Sequence, residues 1–221
     1  MSQALTYLRE IPDELRPATA DAVVRRGRVS DDAVIATLVD WAARGIAPVR
    51  KGSRRVTTIA GPIEETTLEF VLDVARWDEL DRSEQLLANL LFTQLARSAV
   101  LGLTELKTAM RGRRAEYERG IDVWRATVVD DAVERGLLVP GGRKRTPAGD
   151  RLAEAVEALR RYIADFGAFD DDPVASHVMW GRYLAFAALF GKAERVLEEL
   201  GLDIPGDTYD LALAIRALRS R

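Results

Sequence analysis

Seven basic side chains stand in two short clusters beside glycines: Arg50, Lys51, Arg54 and Arg55 around Gly52, and Arg143, Lys144 and Arg145 after Gly141-Gly142. Cations this close together can neutralise phosphates of a nucleic acid. They can equally rest on anionic lipid heads, where each contributes about 1 kcal/mol near the surface. A second constellation is aromatic. Trp180, Tyr183, Phe186 and Phe190 recur at helical spacing. Such a stripe either packs in a core, here against Leu159, Tyr162, Ile163 and Phe166, or docks a protein partner or a second copy of the chain. A third is acidic. Asp170-Asp171-Asp172 could gather a divalent cation, but consecutive acids lack the spaced ligands and the glycine of a calcium loop. They read as a solvated loop, and Glu64-Glu65 as a charged turn.

Other chemistry has no residues to run on. The 221-residue chain has no Cys and one His, His177. That excludes disulfides, thiolate zinc sites and Cys nucleophiles, and leaves too few ligands for a His-based zinc site. His177 reads as an ordinary helix residue. No Walker or dinucleotide glycine pattern occurs, and Gly141-Gly142 precedes a strand rather than a helix. No catalytic, cofactor-binding or metal-binding residue is expected, and no small-molecule substrate is implied.

Composition sets the class. Hydrophobic residues make up 48% and charged residues 30%, enough apolar content to fold. The start, Met1-Ser2-Gln3-Ala4-Leu5-Thr6, has neither a basic leader nor an apolar stretch. The apolar run Leu184 to Phe190 falls far short of the ~20 residues that cross a bilayer. The chain as it stands is expected to be soluble and to suit a reducing compartment.

These residues must be positioned by an alternation of helices and short hairpins. Pro17 to Gly27 reads as a helix, from Pro at its first position to Gly at its end. Ser30 is the expected N-cap of a second, carrying Val34, Ile35, Leu38, Val39 and Ala42 and closing at Gly45. Ile46 to Arg50 and Val56 to Ile59 read as β segments about a Lys51-Gly52-Ser53 turn. Leu68, Phe70, Leu72 and Val74 alternate with acids as a third strand, although a helix stays open there. Ser83 to Ala96 is then an amphipathic helix, Thr104 caps a short one, and Arg114 to Arg135 is a longer one stopped by Gly136. Leu137 to Val139 and Arg143 to Arg145 flank the next hairpin turn.

One phrase occurs twice. Ala36-Thr37-Leu38-Val39-Asp40-Trp41-Ala42-Ala43-Arg44-Gly45-Ile46 echoes Ala126-Thr127-Val128-Val129-Asp130-Asp131-Ala132-Val133-Glu134-Arg135-Gly136-Leu137, with one residue inserted. Each time a helix ends in Arg-Gly and a basic hairpin follows. The expected fold is therefore mainly α (α+β): two tandem winged-helix-like units with short β-hairpins, residues 1–76 and 77–147, and a C-terminal helical region, 148–221. In that last region Thr146-Pro147 starts a helix, Asp172-Pro173 starts the aromatic one, and Asp207 caps a short one.

Charge follows this division. Residues 1–61 carry net +3 and 81–149 net +3, while 62–80 carry −5 and 150–221 carry −4. The candidate recognition helices argue against base reading. The first opens on Asp31-Asp32 and has no Arg, Lys, Asn or Gln before Arg44. The second alternates Arg114, Arg119 and Arg125 with Glu116, Glu118 and Asp122, so phosphates would be repelled as well as attracted.

Three blocks carry a family resemblance. They are Tyr7-Leu8-Arg9-Glu10-Ile11-Pro12 with Leu15-Arg16-Pro17-Ala18 and the Arg44-Gly45 helix, Asp78-Glu79-Leu80-Asp81 with Leu86-Leu87 and Leu91-Phe92, and Trp180-Gly181-Arg182-Tyr183-Leu184-Ala185-Phe186-Ala187 with Phe190-Gly191-Lys192-Ala193. Together they resemble the cytosolic C-terminal region of a bacterial predicted membrane protein family of unknown function, from about Tyr7 to Leu200. The resemblance implies membrane spans and a β-rich domain ahead of this region, and a place on the cytosolic face of the membrane. It supplies no catalytic residues. The expectation is a non-enzymatic module that binds a protein partner or itself through Trp180, Tyr183, Phe186 and Phe190. A winged-helix nucleic-acid binder, using the basic hairpins, is the alternative.

Overall fold

The computed structural model describes residues 7–8, 10–58, 61–165, 177–200 and 214–215. Pro17 opens α1 (Pro17–Val24), where its fixed φ suits a helix and its missing N–H has no acceptor to lose. α2 (Asp32–Ala43) follows. Ser30 does not cap it as expected. Its N–H and hydroxyl both donate to Asp21 Oδ2, at 2.6 and 2.7 Å, and tie the loop back to α1. The helix is buried from Ala33 to Trp41 except at Ile35.

The first hairpin is longer than expected and turns elsewhere. β1 (Val49–Thr58) and β2 (Gly61–Val71) pair antiparallel without a break from Val49↔Phe70 to Thr58↔Gly61. Lys51-Gly52-Ser53 therefore lies inside a strand, not in a turn. The reason for its glycine is packing. A Cβ on Gly52 would meet the Glu69 carboxylate at 2.1 Å, because that side chain crosses over Gly52 to reach Arg50 Nε at 3.3 Å. The expected strand through Val74 stops at Val71, and Val74 opens a 3-10 turn (Val74–Glu79) with 64% of its surface exposed.

β3 (Val100–Gly102) completes the sheet in the order β1-β2-β3, pairing only with Glu69, Phe70 and Val71 at the hairpin base. The rest of the hairpin stands out as a two-stranded ribbon, exposed along β2 from Pro62 to Thr66. Between the turn and β3 runs α3 (Arg82–Ala88), which widens into a π-helical stretch (Asn89–Ala96). A capping box starts it. Asp81 accepts from the Glu84 N–H at 2.9 Å, and the Glu84 carboxylate accepts from the Asp81 N–H at 3.0 Å.

α4 (Leu103–Gly112) begins behind Gly102, so Thr104 lies within its first turn instead of capping it. α5 (Arg114–Glu134) then runs to the second Arg-Gly. The repeated phrase proves to be a repeated helix end. Ile46 donates to Trp41 O at 2.8 Å and Leu137 to Ala132 O at 2.9 Å, across Gly45 and Gly136 at φ 70° and 68°. Both are Schellman closures, which require the left-handed residue that glycine supplies without strain. A minimal hairpin follows the second, with Leu138 bridged to Arg145 and the Val139 N–H donating to Lys144 O at 2.9 Å. Thr146 then caps α6 (Pro147–Ala164), its hydroxyl oxygen accepting from the Gly149 N–H at 3.1 Å.

α7 (His177–Leu189) and α8 (Ala193–Leu200) close the chain of described elements. The larger apolar core runs from Leu15 through α2, the sheet, α3, α5 and α6 to α7 and Ile215, and a smaller one of Val23, Ala132, Leu138 and Ala153 joins α1, the end of α5, the second hairpin and α6. α7 lies mainly along α2, not along the preceding α6, though Tyr162 and Tyr183 stack with centroids 5.8 Å apart. Gly181 permits that approach: a Cβ there would sit 2.6 Å from Ala43 Cβ.

Candidate functional site

The aromatic stripe divides. Tyr183 and Phe186 are 3% and 0% exposed, packed between α2 and α6 in the core. Phe190 is half-buried, its ring 6.1 Å from that of Phe186. Of Trp180 only the helical backbone is described, and Asp170-Asp171-Asp172 lie outside the described residues, as does the His177 side chain.

Below that stripe is a charged clasp that sequence reasoning missed. Arg182, 6% exposed on α7, faces Asp40 of α2, with Nε 3.4 Å from Oδ1. Its other nitrogens donate to the carbonyls of Ile11, Pro12 and Leu15 at 3.2, 3.1 and 2.8 Å, and one lies 3.4 Å from Asp13 Oδ1. Arg44, one turn after Asp40, pairs with its Oδ2 at 2.9 Å and also with Glu84. Trp41 Nε1 donates to the same Glu84 carboxylate at 2.9 Å, and Arg16 stands 3.6 Å from it. Burial pushes the Asp40 carboxyl above its ordinary range, against the pull of Arg44, Arg182 and Arg16. Burial raises Glu84 likewise.

Four parts of the chain thus converge: the segment 11–16, α2, α7 and the start of α3. Every charge in the clasp is spent on another part of the chain, which joins segments distant in sequence. A signal for it was present. Asp40 interrupts an otherwise apolar helical face, and a buried acid requires a partner. The same four-residue step from acid to arginine precedes the helix end in α1, where Arg25 Nε donates to Asp21 Oδ1 at 2.7 Å.

The basic hairpins differ from their sequence appearance. Arg50 pairs with Glu69, and the register sets Arg54 opposite Glu65 and Arg55 opposite Glu64. Glu64, Glu65 and Glu69, half of the acids in the 62–80 stretch, therefore lie on the return strand of the same ribbon, opposite its cations. Lys51 is exposed on β1. In the second hairpin Arg145 pairs with Asp150 at 3.0 Å, whereas Arg143 and Lys144 are exposed with no ion pair among the described residues.

Beside that second hairpin lies a groove of about 770 Å³. Ala126, Val129 and Val133 of α5 form one wall, with Val29 and Pro140 opposite. Their spacing of three and four residues makes a continuous helical stripe, which Val123, 58% exposed, extends by one turn. The end of α1 meets the hairpin there so closely that a Cβ on Gly27 would stand 2.3 Å from Gly142 O.

The fold is that of a mainly helical α+β module with a small antiparallel sheet and a largely apolar groove beside a basic hairpin. Among the described residues no helix is long and apolar enough to cross a membrane. The chain belongs to the family described as Predicted membrane protein (DUF2207) C-terminal domain, which matches residues 4–140 and 135–200. No curated protein and no solved structure matches it.

Proposed function

We propose that this chain is a non-enzymatic module on the cytosolic face of a membrane-anchored protein, where it binds a protein partner. The observation that carries the reading is the α5 stripe of exposed Val123 and Ala126 with half-buried Val129 and Val133, which borders a groove. Apolar side chains on an exposed helix face gain free energy when a partner covers them. Family membership supports the membrane anchor. The non-enzymatic reading draws on the clasp, whose carboxylates are held by arginines beneath other residues and serve to join segments. The site differs from the aromatic helix that the spacing first suggested, because Tyr183 and Phe186 are already covered by the core.

A winged-helix nucleic-acid binder has less support. α2, which precedes the longer hairpin, is buried on almost every face and has no side free to enter a groove. The ribbon after it carries carboxylates opposite its cations.

A photoreactive residue at position 123 of the full-length membrane protein tests the proposal. The expected result is one discrete protein adduct in cells, lost when Val133→Glu is added. Adducts to lipid alone, or none, with the protein folded and inserted, would remove the reading.

A further inference from the structure

We infer that the groove between α5 and the 138–145 hairpin takes an acidic amphipathic helix from the partner. This rests on the proposed partner-binding reading and names the chemistry of that partner. The groove is lined largely by apolar residues, with Arg28, Arg125 and Asp130 among them, and its volume of about 770 Å³ lies within the span of ligand pockets, about 300–1,000 Å³. A partner helix can lay the side chains of one face into such a groove.

Charge at the rim sets the sign of the occupant. Arg28 lines the groove, Arg26 lies on the other side of Gly27, and Arg143 and Lys144 follow Gly142, so the close approach of the two glycines brings four basic residues near one another in the chain segments that border it. All four side chains are exposed, and none makes an ion pair among the described residues. Three neighbouring arginines, by contrast, are paired. Arg25 pairs with Asp21, Arg145 with Asp150, and Arg125 with both Asp31 and Asp122. Asp130 is the carboxylate that lines the groove itself. It lines the groove together with Gly27, Arg28 and Gly142, a single carboxylate against the four cations around them. Four unspent cations beside an apolar floor complement a helix with leucine-like residues on one face and carboxylates at its edge. Steering by such charge also makes association depend on salt.

The test uses the full 221-residue chain and a fluorescent 18-residue helical probe with Leu at three- and four-residue spacing and Glu elsewhere. Polarisation should report saturable binding that weakens with salt. Arg28→Glu with Arg143→Glu and Lys144→Glu should weaken it at least tenfold, and so should Val133→Glu alone. A probe with Lys in place of Glu should not bind. Circular dichroism and thermal melts confirm that each variant is folded. Because these substitutions are at exposed or half-buried positions, Arg143→Gln with Lys144→Gln provides a milder second variant, expected to weaken binding about threefold.

Equal binding of the Glu and Lys probes, or no loss in the charge variants, overturns the inference. So does binding to vesicles with a quarter phosphatidylserine that the same variants abolish while the peptide probe stays unbound. If the position-123 adduct forms in cells but the acidic probe does not bind, the partner reading stands and only this chemistry fails. If no adduct forms, the partner reading itself fails.

Discussion

Arg182→Met removes the centre of the clasp while nearly keeping its volume. The loss can be worked from the contacts. Asp40 would remain buried with Arg44 at 2.9 Å as its remaining close cation, and Leu15 O would lose a 2.8 Å donor. Removing one partner of a buried ion pair costs about 3–5 kcal/mol. An unsatisfied buried carbonyl adds about 1–3 kcal/mol. Arg44 and the apolar fit of Met offset part of this, so the expected loss is about 4 kcal/mol, a large share of the ~5–15 kcal/mol that holds a domain folded. The exposed Asp13 contact is left out of the sum. With a urea slope of about 2 kcal/mol per molar, the midpoint should fall by about 2 M. Repeating the change in an Asp40→Asn background should cost at least ~1 kcal/mol less, because the two residues are coupled. A loss below ~1 kcal/mol, or equal losses in both backgrounds, would refute the reasoning that this charge network holds α7 and the N-terminal segment to α2.

Gly181→Ala forces a methyl to within 2.6 Å of Ala43 Cβ and should cost about 1–3 kcal/mol; Ala43→Gly in the same chain should recover most of it in thermal melts. Asp81→Ala removes the capping box of α3 and should cost about 1 kcal/mol, whereas Asp81→Asn, which keeps a capping oxygen, should stay near wild type. The raised Asp40 and Glu84 carboxyls bind protons more tightly in the folded chain. Their contribution to stability is full below the unfolded values of about 4 and is lost as pH rises through the folded ones. The Tm of wild type relative to an Asp40→Asn, Glu84→Gln variant should therefore fall with rising pH across that interval, and a constant difference would contradict the assignment.

Local chemistry was legible wherever neighbours in sequence decide the outcome. Pro17, Thr146-Pro147 and the two Arg-Gly ends mark helix termini because caps are made within a few residues. The hairpin at Gly141-Gly142 follows from the same local rule, since its two glycines take positive φ of 89° and 71°. Glycine also misled. Gly52 looks like a turn residue, but its space is taken by Glu69, seventeen positions on, and only the strand register brings them together. Ser30 looks like a cap until Asp21 of the neighbouring helix claims its hydroxyl.

What the sequence determined by itself was the helix-rich composition, the absence of thiol and multi-His chemistry, the duplicated helix end and the family blocks. Tertiary structure alone decided that Asp40 meets Arg182 across 142 residues, that acids of β2 stand opposite cations of β1, and that Gly27 beside Arg28 approaches Gly142 beside Arg143 at the edge of a groove. Capping and hydrophobic periodicity act over one or two turns, so they are written in the order of residues. Ion pairs and grooves depend on which surfaces the core brings together, and that is fixed only when the whole chain has packed.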